Sequence, residues 1–456
     1  MHISRHYISI EGRRVHYAKC GSGPHLLMVH QSPRSSTEYH ALMQKWGQYF
    51  TCIAPDLPGF GHSDPLSHPA PEIEDFADAM VEFAHAVGIK KILGYGFHSG
   101  GIILVTALKR HMEKFAGLAI GGYAIWNDEE RVKIGPPYIP QNPPQPYGQH
   151  LVWLWNRILE QSWYFPWFEP SDENRMPVAH DDVSKISLII EDMLNSGDAY
   201  RLGYGAVLRA GRDIPPPETN SPPVQITAYN GDPLQSHLER LGNMPQSWSA
   251  FGVDTPDDHY DASLKFLLSI SYQENGPLGE DENAGFIHII TEDFDGLIHW
   301  QGNKNSGEIY IHTAGEEIDI SAKPNAIHID MPGHGLSDMW RGDAPINWDI
   351  WQKLIDKVAA YFNAKEINHA PLPIGDAQML YPDLSPDRFG HYLTKAWAIV
   401  RAEQIFKPWY LADASHTKKI DTNALHPQAL AKKHRARIRA ISAKQMHIAA
   451  QQRGKA

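Results

Sequence analysis

Cysteine is nearly absent: Cys20 and Cys52 are the only two in 456 residues. Two thiols cannot staple a scaffold or build a thiolate metal cluster, so each is expected as a small buried side chain. Long apolar runs are missing as well. No stretch approaches the ~20 residues that span a bilayer, and the opening Met1-His2-Ile3-Ser4-Arg5-His6 lacks the basic head and apolar stretch of a leader. Neither a membrane nor secretion is indicated, and a cytoplasmic protein is the expectation. The 26 histidines are scattered, with no H-E-x-x-H and no paired C-x-x-C, so no metal is expected. Gly94-Tyr95-Gly96 opens a dinucleotide-type pattern whose third glycine falls out of spacing, and no other cofactor is expected either. Positive charge is also in deficit. The net charge of −12 argues against a nucleic-acid partner. Eight Lys and Arg and no acid fall within 431–456, which leaves the preceding residues at −20. That basic segment reads as an anion-binding or self-docking arm, or as a solvated last helix that frays into a tail over 446–456.

What is present is ordinary globular composition, 42% hydrophobic and 21% charged, in a chain long enough for two or three domains of roughly 150 residues. Residues 7–10 and 14–17 alternate as strands around Glu11-Gly12, and 26–30 is a short apolar strand. Ser35 caps a helix with Glu38 three residues on, and 50–54 is a further buried strand ending at Asp56. Over 72–87 the apolar positions Ile73, Phe76, Ala77, Met80, Phe83, Ala84 and Val87 recur at helical spacing before Gly88. Strands alternating with helices predict an α/β fold with a mostly parallel sheet covered on both faces.

The segment 91–110 carries the most information. A strand (91–95) runs through Gly96-Phe97-His98-Ser99-Gly100-Gly101 into a helix (102–110). Small residues two before and two after a central position are what a sharp strand-to-helix turn requires. Together with His30-Gln31 and the loop Asp56-Leu57-Pro58-Gly59-Phe60-Gly61-His62-Ser63-Asp64, these features resemble the α/β-hydrolase superfamily over residues 1–272. His30-Gln31 falls where that family places an oxyanion loop, 56–64 is similar to its D-x-P-G-x-G-x-S loop, and 96–101 to its nucleophile elbow. The resemblance implies a helical lid after the strand that follows the elbow. Proline-rich joints at 136–146 and 215–223 bracket an aromatic stretch with Trp153, Trp155, Trp163, Trp167 and Phe168, so the lid is expected over about 136–223. Trp126, Trp155 and Trp163 are candidates for an apolar substrate cavity; the alternative is that the tryptophans only pack the lid.

By the same resemblance Asp232, after the strand 224–229, is the acid, and His259, between a strand (249–254) and a helix (262–270), is the base. A carboxylate would fix the imidazole tautomer and stabilise its protonated form. The plain alternatives are a turn-forming Asp232 ahead of Pro233 and a surface His259 beside Asp257 and Asp258. At the elbow the family carries Ser, Cys or Asp. Here the glycine spacing puts His98 at the apex, Ser99 reaches it only if Phe97 takes a small residue's place, and a decayed inactive elbow is the third reading. An apex imidazole can attack a carbonyl itself, or pair with His259 as acid and base. The backbone N–H groups of Ser99 and Gln31, the Gln31 amide and the Ser32 and Ser35 hydroxyls are candidate oxyanion donors, with His30 and Phe97 beside them.

The second half repeats the first. Residues 296–300 echo 12–17, 306–312 echo 22–30, and Asp330-Met331-Pro332-Gly333-His334-Gly335-Leu336-Ser337-Asp338 echoes 56–64. Gly390, Leu393, Trp397, Pro408 and Trp409 lie 242 residues after Gly148, Leu151, Trp155, Pro166 and Trp167, whereas the loop motifs are offset by 274, so 32 residues are missing between them. Those correspond to the elbow, its helix and the next strand. Residues 285–445 are thus expected to form a partial copy without catalytic apparatus. His334 is then a structural loop histidine, or else an alternative base for Asp232. The copy is expected to act as an internal dimer-like partner that adds to the pocket wall, or as a homodimer surface. The expected function is hydrolysis of a small, largely apolar ester, lactone or amide by His98, Asp232 and His259. The alternatives are a cofactor-free lyase using His98 as base, and a non-catalytic ligand-binding protein.

Overall fold

The computed structural model describes residues 1–176, 182–274 and 276–453, in two compact units: 1–143 with 156–280, and 144–155 with 281–456. The first unit holds eight strands, β1 Ile3–Ile10, β2 Arg13–Cys20, β3 His25–Val29, β4 Thr51–Pro55, β5 Ile92–Phe97, β6 Phe115–Gly121, β7 Val224–Tyr229 and β8 Trp248–Val253. Their order is β1-β2-β4-β3-β5-β6-β7-β8. The hairpin β1–β2 and the pair β2–β4 are antiparallel, and every pair from β4 to β8 is parallel. Central β3 is buried at every position, as a strand covered on both faces must be.

Helices α1 His40–Trp46, α2 Ile73–Ala86 and α3 Ser99–Arg110 link the first strands. The Glu72/Asp75 capping box starts α2, and its apolar stripe from Ile73 to Ala84 is buried. Between β6 and β7 come α4 Asp128–Tyr138, α5 Gln149–Gln161, α6 Val183–Ser196 and α7 Ala199–Arg209, and α8 Pro256–Ser269 follows β8. The helical excursion starts earlier than the prolines predict, because Asn127 and Glu130 form a capping box and Pro136 and Pro137 fall inside the end of α4.

The second unit repeats the first with five strands: β9 Ala284–Ile290, β10 Asp295–Gly302, β11 Glu308–Ile311, β12 Ile327–Ile329 and β13 Glu366–His369. Their order β13-β11-β12-β10-β9 is that of β5-β3-β4-β2-β1. The loop networks match atom for atom. Asp56 Oδ2 lies 2.9 Å from His16 Nδ1 and Asp330 Oδ2 lies 2.7 Å from His299 Nδ1. The Ser36 and Ile318 N–H groups donate to the other carboxylate oxygens at 2.8 Å. Val29 pairs with Gly96, and Ile311 with His369, so β13 stands where the strand that leads to the elbow stands in the first unit. Two residues on, Pro371 stands where His98 stands, and a proline held near φ −65° cannot make the turn.

Helices α9 Trp348–Phe362, α10 Ala377–Leu380, α11 His391–Ala402, α12 Pro427–Arg439 and α13 Ala443–Ala450 complete this unit. The segment expected as a basic tail from 446 begins instead in α13, where Met446, His447, Ala449 and Ala450 are buried; Lys455 lies outside the described residues. Among the described residues no helix is long and apolar enough to cross a membrane.

Candidate active site

β5 delivers the chain to His98 at φ 47° and ψ −115°, and α3 starts at Ser99. That backbone is open only because of the flanking glycines: a Cβ on Gly96 would come within 2.8 Å of Gly100 backbone, and one on Gly100 within 1.9 Å of the Val29 carbonyl oxygen. His98 N–H donates to Gly121 O at 2.7 Å. The apex is therefore His98, with Ser99 as the first residue of the helix.

The His98 ring stacks on Phe97 at 4.0 Å and 18°, and Nε2 lies 3.0 Å from Asp232 Oδ1 and 3.2 Å from Oδ2. A carboxylate only accepts, so Asp232 fixes the proton on Nε2 and leaves the Nδ1 lone pair free. Burial alone would push the Asp232 carboxyl up. The adjacent His98, its hydrogen bond and the Leu234 N–H outweigh burial and hold it below the usual carboxylate range. Asp232 is wholly enclosed while the His98 side chain is 23% exposed, so the imidazole is the member of the pair that meets the pocket.

His259 does not reach Asp232. Its Nδ1 lies 2.6 Å from Thr227 Oγ1 and its Nε2 2.9 Å from Tyr95 Oη. It is 1% exposed, and burial lowers its pKa to about 4, against a weaker upward pull from Asp232. The sequence pattern places it in a loop ahead of the helix. In the structure the Thr255 cap, with Pro256 at the first position and Asp258 reciprocating, starts α8 earlier and folds His259 inward. His334 likewise serves its own loop: it is fully buried, with Nδ1 3.2 Å from Pro332 O and its ring 5.1 Å from His312.

Several expected oxyanion donors are committed elsewhere. Gln31 gives its backbone N–H and its amide to Glu38 at 2.9 and 2.6 Å. The Ser35 hydroxyl donates to buried Asp192 on α6 at 2.6 Å, and Arg34 Nε reaches the same carboxylate at 3.0 Å. His30 Nε2 accepts from Leu57 N–H at 2.9 Å, which fixes the 56–64 loop. The Ser32 N–H donates to Ser99 Oγ at 2.6 Å, so the Ser99 hydroxyl keeps its own proton to give.

The pocket is a cavity of about 230 Å³ lined by Gln31, Ser32, Phe97, His98, Ser99 and Trp126 together with lid side chains, Gln161, Phe165 and Tyr204 among them. All of its lining residues belong to the first unit, so the wall expected from the second half is not among them. Trp155 and Trp163 are not in the lining either. Trp155 is packed beneath Gly390, whose Cβ would lie 2.5 Å from its ring. Two buried polar atoms of the lining have no partner: the Trp126 Nε1–H donor and the Gln161 Oε1 acceptor. Gln161 is not legible in the sequence, since nothing in one sequence separates a lid glutamine that faces a cavity from one that faces water. No group of three His, Cys, Asp or Glu that could hold a metal occurs among the described residues.

The family model for the alpha/beta hydrolase fold matches residues 24–161. Haloalkane dehalogenase 2 of Mycobacterium tuberculosis is 31% identical over 123 residues, 27% of this chain and 43% of the dehalogenase. The soluble epoxide hydrolase of a Corynebacterium species is 40% identical over 62 residues, 14% of this chain and 22% of that enzyme. The chain thus spans less than half the length of these curated relatives. Epoxide Hydrolase A from Mycobacterium thermoresistibile, a solved structure, is 13% identical with a TM-score of 0.45, over 60% of this chain and 100% of that one. With its elbow at His98 and its loop at 56–64, the matched segment 24–161 carries the alpha/beta hydrolase fold.

Proposed function

We propose that the chain is a hydrolase of small, largely apolar carbonyl substrates, and that His98 with Asp232 is its catalytic pair. One observation carries this reading: Asp232 holds Nε2 of the apex imidazole, whose ring lines a largely apolar cavity, so Nδ1 is the nitrogen free to take a proton. In this scheme Nδ1 takes a proton from water as the water oxygen bonds to the carbonyl carbon. Asp232 stabilises the imidazolium, which then protonates the leaving alkoxide or amine as its bond to carbon breaks. The Ser99 hydroxyl and Trp126 Nε1–H are the donors for the oxyanion. Acid and alcohol or amine leave, and His98 is neutral again.

The dehalogenase and epoxide hydrolases among the relatives support a hydrolytic class. The apex imidazole favours attack by activated water over the apex serine, cysteine or aspartate of the family. Two unpaired buried cysteines support a cytoplasmic setting.

The test is turnover of short-chain p-nitrophenyl esters and lactones by the full chain, with an epoxide and a haloalkane as comparison substrates. His98→Ala is expected to remove at least about a thousandfold of kcat, and Asp232→Asn about 10²–10⁴-fold, both with folding intact. Full activity in either variant would overturn the pair. Loss of a carbon-bound proton from substrate without uptake of water would move the assignment to a lyase with the same base.

A further inference from the structure

The second unit contains a cavity of about 190 Å³ lined by residues 315–319, Val400, Glu403, Ala429, Lys432, Lys433, Ala436 and Arg437. Its place in the fold is that of the catalytic pocket. Residues 315–319 follow β11 as the Gln31 and Ser32 loop follows β3. Val400 and Glu403 lie 242 residues after Ile158 and Gln161, both of which line the first pocket. In the first unit α6 lines the pocket through Ile189, and α12, which lies about 242 residues after α6, lines the second cavity through Ala429, Lys432, Lys433, Ala436 and Arg437. The copy has lost its elbow and kept a cavity.

The chemistry of that cavity is different. Arg437 is 7% exposed; its Nη2 donates to Glu403, its guanidinium lies 5.3 Å from the Tyr381 ring, and its Nε and Nη1 are buried with no hydrogen-bond partner. A buried guanidinium with two unspent donors is costly unless something accepts from them. The acids of the lining are each engaged. Glu403 holds Arg437, Glu316 lies 3.8 Å from Lys433 and Glu317 3.6 Å from Arg439, and Asp319 caps the turn at Ser321. Lys432 forms no ion pair among the described residues. What is left over is donor capacity at Arg437, while Lys432 and the capping carboxylate of Asp319 balance in charge. The neighbouring carboxylates disfavour a dianion, and Ile318, Val400, Ala429 and Ala436 offer an apolar wall.

We propose that this remnant pocket is a second ligand site, which binds a small monocarboxylate through Arg437 and Lys432 with its alkyl part against Val400 and Ala436. Guanidinium and carboxylate match in charge and in hydrogen-bond direction.

The test is isothermal titration of sodium hexanoate into the full chain, with hexanamide and inorganic phosphate as controls. Hexanoate is expected to bind saturably in the roughly millimolar range or tighter, and better than either control. Arg437→Gln should weaken binding about ten- to a hundredfold and Lys432→Gln about three- to tenfold. Because Arg437→Gln leaves Glu403 without its partner, Ala429→Met is made in parallel; it keeps every charge and fills the cavity, and should weaken binding about tenfold. His98→Ala should leave this binding unchanged. The proposal is overturned if hexanoate does not bind, if hexanamide or phosphate binds equally well, or if affinity survives Ala429→Met.

Discussion

Ser99 occupies the position beside the apex, and its role follows from which of its hydrogen-bonding capacities is used. The oxygen accepts from Ser32 N–H at 2.6 Å, so its proton points elsewhere and is polarised by that bond. A hydroxyl in this state is a donor to developing negative charge, not a nucleophile with a base at its proton. Ser99→Ala is therefore expected to lower kcat on an ester by about ten- to a hundredfold with little change in KM, the loss of one oxyanion donor. A serine-directed fluorophosphonate should leave the wild-type protein unlabelled. Labelling at Ser99, or a loss beyond about a thousandfold, would make it the nucleophile and sink the His98 assignment. The glycine spacing pointed to His98 at the apex with Ser99 left open: Gly96 is demanded by the Gly100 backbone four residues on, but Gly100 is demanded by the Val29 carbonyl oxygen, which only the folded sheet brings beside it. The partner of Asp232 was not legible: His98 and His259 both lie far from it in sequence, and only the folded sheet brings one of them to 3.0 Å.

Among the elements, α5 and α11 show how the repeat is used. Trp397 packs on Gly148 and Trp155 on Gly390, a crossed exchange between positions 242 residues apart. Both glycines are left-handed, at φ 80° and 69°. A Cβ at Gly390 would fall 2.5 Å from the Trp155 ring, and one at Gly148 would fall 3.0 Å from that of Trp397. The first distance forces a shift of a large buried ring, while the second needs only a few tenths of an ångström. Gly390→Ala should then cost ~2–4 kcal/mol, combining left-handed strain with overpacking, and Gly148→Ala ~1–2 kcal/mol. Urea melts of the two variants would check the order, and a reversed order would show that the rings yield more easily than the backbone. The constant offset made the four residues visible in the sequence. Their crosswise contact was not, since an offset says which positions correspond and not which ones touch. The start of α8 shows a related limit: apolar periodicity began at 262, but the cap at Thr255 sets the boundary and carries His259 into the interior.

For the molecule as a whole, the abundance of histidine has a consequence for stability. His259 in the first unit and His150, His334 and His434 in the second are buried, and burial lowers their pKa values to about 4, 4, 3 and 3. Each titrates near 6.5 once unfolded. Between these limits the unfolded chain binds protons that the folded chain refuses, so acid favours unfolding. The contribution of neutral burial is complete above about pH 6.5 and is lost progressively as pH falls toward 4 and then 3. Each group supplies on the order of 1–3 kcal/mol to the change. Asp56 and Asp330, held low by His16 and His299 against the opposing effect of burial, add a loss of the same sign that begins as pH falls through the ordinary carboxylate range. Urea unfolding free energies should therefore fall steadily from about pH 7 to pH 4.5, with most of the fall above the range where ordinary carboxylates titrate. His434→Gln preserves a donor toward Leu393 O, the 2.9 Å contact of Nε2, and removes one titrating group. It should flatten the slope in that window even if it lowers stability at pH 7. A stability that is level or rises on acidification to pH 4.5 would mean that these histidines are already protonated in the folded chain.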